Sequence, residues 1–549
     1  MDEPAVHPVG AAAVGEPPAA GGGRSRELSA VLGAGGILTA ISQVSIVPLL
    51  PDLPRLTGAS ASNVSWLLTV TLLVGAVVTP LFGRAGDIFG KRRMLLIALG
   101  MLTTGSILCA LTSNIWLLIP ARGLQGACLA VVPLSISILR DELPPERVGS
   151  AVALMSATVG IGAALGVPFA SLIVEFADWH VMFWVTGGLG LADLILAGLL
   201  VRESKVRAPA RFDIPGAVGL ALGLLCLLLA LSKAADWGFT SPRFGVLILA
   251  AVVILAGWTR WQLHVAEPLV DLRLARRPAV LAPNVAALLI GFSFYANSLS
   301  TAQLVQVPTE TGYGLGLSVF ASGLCLLPGG VAMFALSPVA ARITASRGPR
   351  ITLLLGASAL VLGYLLRLFT SENLPMIVVG AAVVAAGTAL AYSAMPMLIM
   401  NAVPRTQTAA ANGLNVLLRT VGQALCSAAV AALLSHLTMT TSVGAVPSLG
   451  AFQTVFAMAG VVGALALGVG CLVPVRGHAD IAVPRQADGP PRTDDPASDP
   501  DPAPVDGVRV DEARIDGARM IGRAPQPRRH RAPHRSPWRG KDGRVTTTG

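Results

Sequence analysis

Residues 83–92 read Gly83-Arg84-Ala85-Gly86-Asp87-Ile88-Phe89-Gly90-Lys91-Arg92, a charged turn set between apolar blocks at 63–83 and 94–112. The glycines let the chain turn tightly and let other helices approach closely. Asp87 is placed to pair with a nearby cation or to cap a helix N-terminus. Such a pair can be made in one conformation and broken in another, so Gly83, Asp87, Gly90, Lys91 and Arg92 form a candidate gating element. The plainer reading is an ordinary basic loop, which accounts for the charges and not for the spacing.

The blocks on either side belong to a series. A membrane-crossing helix needs about 20 mostly apolar residues. Fourteen candidates fall near 30–51, 63–83, 94–112, 115–138, 150–174, 180–201, 214–232, 243–263, 279–300, 317–336, 351–370, 374–400, 408–434 and 451–474. The basic residues fix an orientation. With a cytosolic N-terminus the inner loops carry Arg84, Lys91, Arg92, Arg93, Arg140, Arg147, Arg202, Lys205, Arg207, Arg211, Arg260, Arg273, Arg276, Arg277, Arg342, Arg347, Arg350 and Arg405. The outer loops carry Arg55, Lys233 and Arg243, with Arg367 near the outer end of the eleventh block. This is a positive-inside pattern, and an even number of spans returns the C-terminus to the cytosol.

Composition agrees. Of 549 residues, 53% are hydrophobic and 13% charged, about half the charged share of a soluble protein. The net charge of +10 follows from the inner loops, and with 5% aromatic residues no stacking surface for nucleic acid is suggested. The cysteines lie singly in apolar blocks and the histidines form no cluster, so no metal site is expected. No Walker loop and no nucleophile–base motif occurs. The chain reads as a non-enzyme without a cofactor.

The charged turn has a second copy. Ala341-Arg342-Ile343-Thr344-Ala345-Ser346-Arg347-Gly348-Pro349-Arg350 follows the tenth block. Arg84 aligns with Arg342, Gly90 with Gly348 and Arg92 with Arg350, and Pro80 and Pro338 each lie three residues before. Equivalent segments in two halves point to a duplicated bundle, as in many secondary transporters.

The 83–92 segment resembles the signature between the second and third helices of the major facilitator superfamily. Arg122-Gly123-Leu124-Gln125-Gly126 resembles its Arg-x-x-Gln-Gly signature. Fourteen spans, Phe212-Asp213, Pro268-Leu269-Val270-Asp271-Leu272, Leu327-Pro328-Gly329-Gly330, Asn415 and Arg419-x-x-Gly422 resemble the fourteen-span drug:proton antiporter branch of multidrug efflux type. The resemblance covers about residues 28–475. It implies an all-α integral membrane fold of two six-helix halves plus two inserted central helices. It also implies a proton-coupled secondary transporter, exporting small amphipathic drugs or metabolites across the cytoplasmic membrane by alternating access. The expected partners are a small-molecule substrate, protons and membrane lipid, and the expected state is a monomer. The expected organisation is a disordered cytosolic tail at 1–28, a six-helix bundle at 29–205, two inserted helices at 206–265, a second bundle at 266–475 and a disordered cytosolic tail at 476–549. The tail carries Asp494, Asp495, Asp499 and Asp501, then Arg528, Arg529, Arg531 and Arg535.

Individual residues follow. An arginine inside a span costs about 2.5–3.5 kcal/mol on insertion scales, so Arg122 should face the bundle interior or a water-filled cavity. The resemblance implies that it couples proton movement to transport. In the fifth block, Gly162 and Gly166 lie one turn apart and allow close helix contact, and Pro168 can kink the helix. This resembles the superfamily's antiporter signature, with Val167 separating Gly166 from Pro168 and Ala170-Ser171 in place of a glycine pair. Gln43 stands where the branch usually has a first-span acid, and Trp179-His180 where it has Trp-Arg. The clearest acid within a span is then Asp193, either a proton carrier or a carboxylate paired near the cytosolic boundary. Asn412, Asn415, Arg419, Gln423 and Ser427 form a polar stripe at helical spacing that lines a cavity or holds helices together. Gln125, Asn297 and Gln306 are further candidates for polar cavity contacts. A facilitator or importer without proton antiport, and a non-transporting scaffold, are the alternatives.

Overall fold

The structure is a computed structural model and describes residues 22–49, 53–204, 206, 210–369, 373–441 and 444–474. The expectations for residues 1–21, for Lys205 and Arg207, and for 475–549 lie outside them. Fourteen helices are long and apolar enough to cross a membrane: Ser25–Val44, Trp66–Phe89, Lys91–Ala110, Ile115–Glu142, Pro145–Phe176, His180–Leu200, Ile214–Ala234, Pro242–His264, Pro278–Gln306, Val319–Arg347, Pro349–Phe369, Leu374–Ala402, Arg405–His436 and Leu449–Cys471. They are called the first to fourteenth spans below. In a bilayer each backbone amide must be satisfied inside its own helix, which is why every apolar block became one. Hydroxyls inside the spans follow suit. Those of Thr39, Thr103, Ser106 and Thr388 donate to carbonyls one turn back, which satisfies these donors within the helix.

Four local features depart from the reading of the sequence. The first helix begins at Gly22, inside the stretch read as tail, because hydropathy marks where lipid begins and a helix can run polar beyond it. The fourth span is broken by a 3-10 turn at Ala127–Ala130, and the tenth is two helices, Val319–Ala335 and Ser337–Arg347. Two short strands, β1 (Thr438–Thr441) and β2 (Gly444–Pro447), pair antiparallel with Thr438 opposite Pro447. The threonine-rich and Gly/Pro-bounded connector after the thirteenth span carries that signal.

The two halves pack alike. In the first six spans, the pairs in contact include 1 with 5, 2 with 4, 3 with 6, 3 with 4 and 1 with 6. Adding eight to each number gives 9 with 13, 10 with 12, 11 with 14, 11 with 12 and 9 with 14, which are also in contact. The seam between halves obeys the same rule, since span 2 meets span 13 and span 5 meets span 10. The duplicated turns mark the repeat in backbone terms too: Gly90 has φ +122° and Gly348 has φ +84°, a region that side chains disfavour. The seventh and eighth spans pack on each other, and the seventh also touches the second and thirteenth. There Leu220, Leu224 and Leu228 meet Leu73, Leu417 and Val421 in one apolar cluster. The fold is therefore two six-helix halves with an inserted pair lying against the seam.

Close approach is carried by small residues. A Cβ on Gly162 would lie 2.6 Å from the Ile37 carbonyl oxygen, and one on Gly422 would lie 2.0 Å from that of Leu288. Gly162 joins spans 5 and 1, and Gly422 joins spans 13 and 9, the repeat-related pair. Gly166 meets Ile41 and Val44 of the first span in the same way.

Candidate functional site

Arg122 sits on the fourth span just before its 3-10 break and is fully buried. Its Nε donates to the Leu67 carbonyl at 3.3 Å, and its Nη1 to the Ser42 carbonyl at 3.1 Å and to Gln125 Oε1 at 2.6 Å. Gln125 in turn donates to the Ser106 hydroxyl at 2.8 Å. No carboxylate pairs with this guanidinium among the described residues. Backbone and amide dipoles from three spans hold it, an arrangement that keeps a cation in a dry interior without neutralising it. Its Nη2 has no hydrogen bond.

Asp193, on the sixth span, is 6% exposed. Its Oδ2 lies against Gly35 of the first span, where a Cβ would come within 2.7 Å, and its Oδ1 has no hydrogen bond. No ion pair among the described residues involves it, so pairing with an arginine is not its arrangement here. Thr39, one turn along the first span, bonds to the Gly35 and Cys128 carbonyls. Ser42, seven residues from Gly35, supplies its carbonyl to Arg122. The carboxyl and the guanidinium thus lie along one helix face, about 10 Å apart along its axis.

At the arginine-rich end, Asp87 crosses the seam. Its two oxygens accept from the backbone amides of Ala409 at 3.3 Å and Ala410 at 2.9 Å, at the N-terminus of the thirteenth span. That is where a helix offers unsatisfied N–H groups and partial positive charge. Lys91 Nζ lies 3.8 Å from Asp87 and 2.6 Å from Asp141. Arg140 makes a second crossing, donating to the Thr408 hydroxyl and to the Met400 and Val403 carbonyls. Gly83 lets the second span approach this helix, since a Cβ there would lie 2.6 Å from the Ala409 carbonyl oxygen. Arg92 turns away from the seam to the Gly198 carbonyl, while Glu203 accepts from the amides of Arg92 and Arg93 and caps the third span. Ala345 occupies the place of Asp87 in the second repeat, so only the first repeat has an acid to reach across.

The seam holds a small cavity of about 20 Å³, room for about one water. Both halves line it: Val132, Ile136, Ser156 and Val159 from one, and Tyr392, Met395, Pro396, Asn412, Asn415, Val416 and Arg419 from the other. The Arg419 guanidinium lies 4.8 Å from the centre of the Tyr392 ring. The Ser156 hydroxyl donates to the Tyr392 carbonyl across the seam. A larger cavity, about 190 Å³, opens at the arginine-rich end between Arg84, Glu267, Asp271 and Gln407.

A family model described as Major Facilitator Superfamily matches residues 32–427, with a second match at 315–510. The chain belongs to the major facilitator superfamily. It is a multi-pass membrane transporter and not an enzyme. Relatives of this transporter include the Multidrug resistance protein Stp of Mycobacterium tuberculosis, 27% identical over 389 residues, 70% of this chain and 71% of that one. The Tetracenomycin C resistance and export protein of Streptomyces glaucescens is 28% identical over 324 residues, 59% of each chain. Among solved structures, the human organic anion transporter TETRAN matches with TM-score 0.59 at 17% identity, over 83% of this chain and 100% of that one. The proton:xylose symporter XylE matches with TM-score 0.57 at 15% identity, over 82% and 96%. At these identities the likeness is one of fold.

Within the superfamily fold, the candidate residues separate by location. Asn412, Asn415 and Arg419 face the seam cavity, and Asn415 also bonds to Pro283 and Asn284 of the ninth span. Three expected cavity contacts lie elsewhere. Gln125 is spent on Arg122 and Ser106. Asn297 accepts from Arg367 and donates to the Ala381 carbonyl inside the second half. Gln306 bonds to the Ala302 carbonyl and the Ser322 hydroxyl. A polar residue in a span must find a partner, and a neighbouring helix serves as well as a cavity; the sequence does not say which. Gln43 is half-buried on the first span and lines neither cavity. His180 donates its backbone amide to Asp178 and bonds it again through the ring, holding the Asp178 carboxyl below the usual range. Pro168 packs near Gly323 of the tenth span, close to the seam. The sequence marks Arg140 only as an inner-loop cation and gives no functional signal for Glu203 or Tyr392. Arg140 and Asp141 at the end of an apolar block carried the one available signal, a paired charge where only a cation is needed.

Proposed function

We propose that this transporter exports small amphipathic molecules across the cytoplasmic membrane in exchange for protons, by alternating access, as a monomer with both termini in the cytosol. The observation that carries the coupling is the pair of buried groups on one face of the first span: Arg122 without a carboxylate and Asp193 without a cation. A carboxyl that meets water in only one conformation exchanges its proton there. An arginine held by weak backbone acceptors is free to change partners when the helices shift. The Asp87 and Arg140 ties support a cycle in which the cytosolic end is shut in one state and released in the other. Gly162, Gly166 and Pro168 bring the fifth span against the first and tenth, so movement at the seam reaches the helix facing Asp193. The bundles at 29–205 and 266–475 are the moving bodies, with 206–265 as their connector. The names of the relatives, which speak of multidrug resistance and of resistance and export, favour drugs or secondary metabolites as cargo.

Proton flux in sealed everted vesicles with an acid interior, read by a pH-sensitive dye, tests this. Substrate-triggered proton release that disappears in Arg122→Ala, with the protein still in the membrane, is the expected result. Full coupled activity in that variant would remove Arg122 from the mechanism. Solute movement with no proton release in the unaltered protein would make it a facilitator, with Gln43 in place of an acid as the reason.

A further inference from the structure

The walls of the seam cavity carry an uneven chemistry. Arg419 is its one charged lining residue, and none of the described acidic side chains faces it. Asp87 is held by the Ala409 and Ala410 amides, and Asp193 lies against the first span. Beside Arg419, Tyr392 is 4% exposed and its hydroxyl has no hydrogen-bond partner. A buried phenol without a partner is rare, because leaving a buried donor unmade is costly. Asn412 Oδ1, also on this wall, is likewise unpartnered. Of the remaining surface, Ser156 donates to the Tyr392 carbonyl and Asn415 to Pro283 and Asn284, while Val132, Ile136, Val159, Met395, Pro396 and Val416 are apolar and come from both halves. The cavity therefore offers a guanidinium stacked on a ring, a free phenolic O–H and one amide acceptor, all set in an apolar slot.

We propose that this cavity, when the seam opens, selects an aromatic amphipath bearing a negative charge, a phenolate or an aryl carboxylate. Arg419 is its counter-charge, Tyr392 its second donor, and Asn412 the acceptor for a substrate hydroxyl. A lipophilic cation meets the opposite: no carboxylate to pair with and a fixed positive charge in a desolvated site. The proposal rests on the exporter reading above and narrows it from amphipaths in general to anionic ones. It is the same slot that the halves close, so binding and reorientation act on one set of walls.

The test uses the purified full chain and one fluorescent aromatic scaffold in three forms, as carboxylate, amide and amine. Binding is read by fluorescence anisotropy in detergent, and transport in proteoliposomes under an imposed proton gradient. The anion is expected to bind about tenfold or more tighter than the amine, the scale of one charge-assisted hydrogen bond. Arg419→Ala brings that ratio to about one, Arg419→Lys restores part of it, and Arg419→Glu inverts it. Tyr392→Phe, which removes one oxygen and no packing, weakens the anion several-fold and guards against misfolding of the arginine variants. Equal binding of anion and amine by the unaltered protein would overturn the proposal, as would an Arg419→Ala loss that is the same for all three forms. Arg419-dependent anion binding without transport of any form would uphold the site and remove the exporter reading instead.

Discussion

The Arg122 guanidinium shows what a single side chain does when its only partners are dipoles. Two nitrogens make three hydrogen bonds to acceptors on three spans, and the planar fork of arginine is what allows it. Lysine keeps the charge and loses the fork. Arg122→Lys is therefore expected to stay folded and to lose at least about tenfold in coupled transport, as the loss of one to two charged hydrogen bonds implies; vesicle proton release measures it. Asp193→Asn is the matching change on the sixth span. It keeps the shape beside Gly35 and removes the exchangeable proton, so substrate binding should persist while proton release stops. Retained proton release in that variant would exclude Asp193 as the carrier. Arg122 was legible in the sequence as an interior cation, because a charge inside an apolar block has few places to go. Its acceptors were not, since a backbone carbonyl leaves no mark in a residue pattern. The same blindness explains Asn297, whose polarity read as cavity lining and whose amide serves the buried Arg367.

Between elements, what matters is how near two helices come and at which ends they are tied. Gly162→Ala places a methyl 2.6 Å from the Ile37 carbonyl oxygen, backbone that cannot swing aside. Overpacking of that kind costs about 1–3 kcal/mol, and the unfolding temperature in detergent should fall by several degrees. Gly100→Ala, on the third span with nothing near its added methyl, is the control and should match or slightly exceed the original protein. The glycine spacing showed that close contact exists; only the fold showed that its partner is the first span. The Asp87 tie to the thirteenth span has the same standing. The sequence offered a cation or a helix N-terminus as its partner, and the structure has both, Lys91 within the repeat and Ala409–Ala410 across the seam. Asp87→Asn keeps one hydrogen bond and loses the charge, weakening the closed end by about 1–2 kcal/mol. With the native cysteines replaced, Ser156→Cys should then react about tenfold faster with an impermeant thiol reagent from the cytosolic side.

At the scale of the whole molecule, two repeats with matching packing are held shut by ties that are not matched. Asp87 and Arg140 both belong to the first half, and Ala345 marks where the second half has no acid to return the contact. Releasing both, in Asp87→Asn with Arg140→Ala, should raise the Ser156→Cys labelling rate beyond either single change, and labelling no faster than in the single variants would show that other contacts set the closed state. The number of spans, the doubling and the inserted pair were all legible, because lipid imposes length and apolarity on each helix. The seam was not, since it is assembled from residues of four spans that lie hundreds of positions apart. With the anionic cargo proposed above, its wall has an electrical consequence. With no carboxylate beside it, Arg419 leaves the empty carrier with an uncompensated positive charge in the cavity, and an anionic cargo cancels it. The membrane potential then pulls on the unloaded return and hardly on the loaded stroke. An interior-negative voltage draws the vacant site back toward the cytosol, so the same field that energises the cell resets the pump.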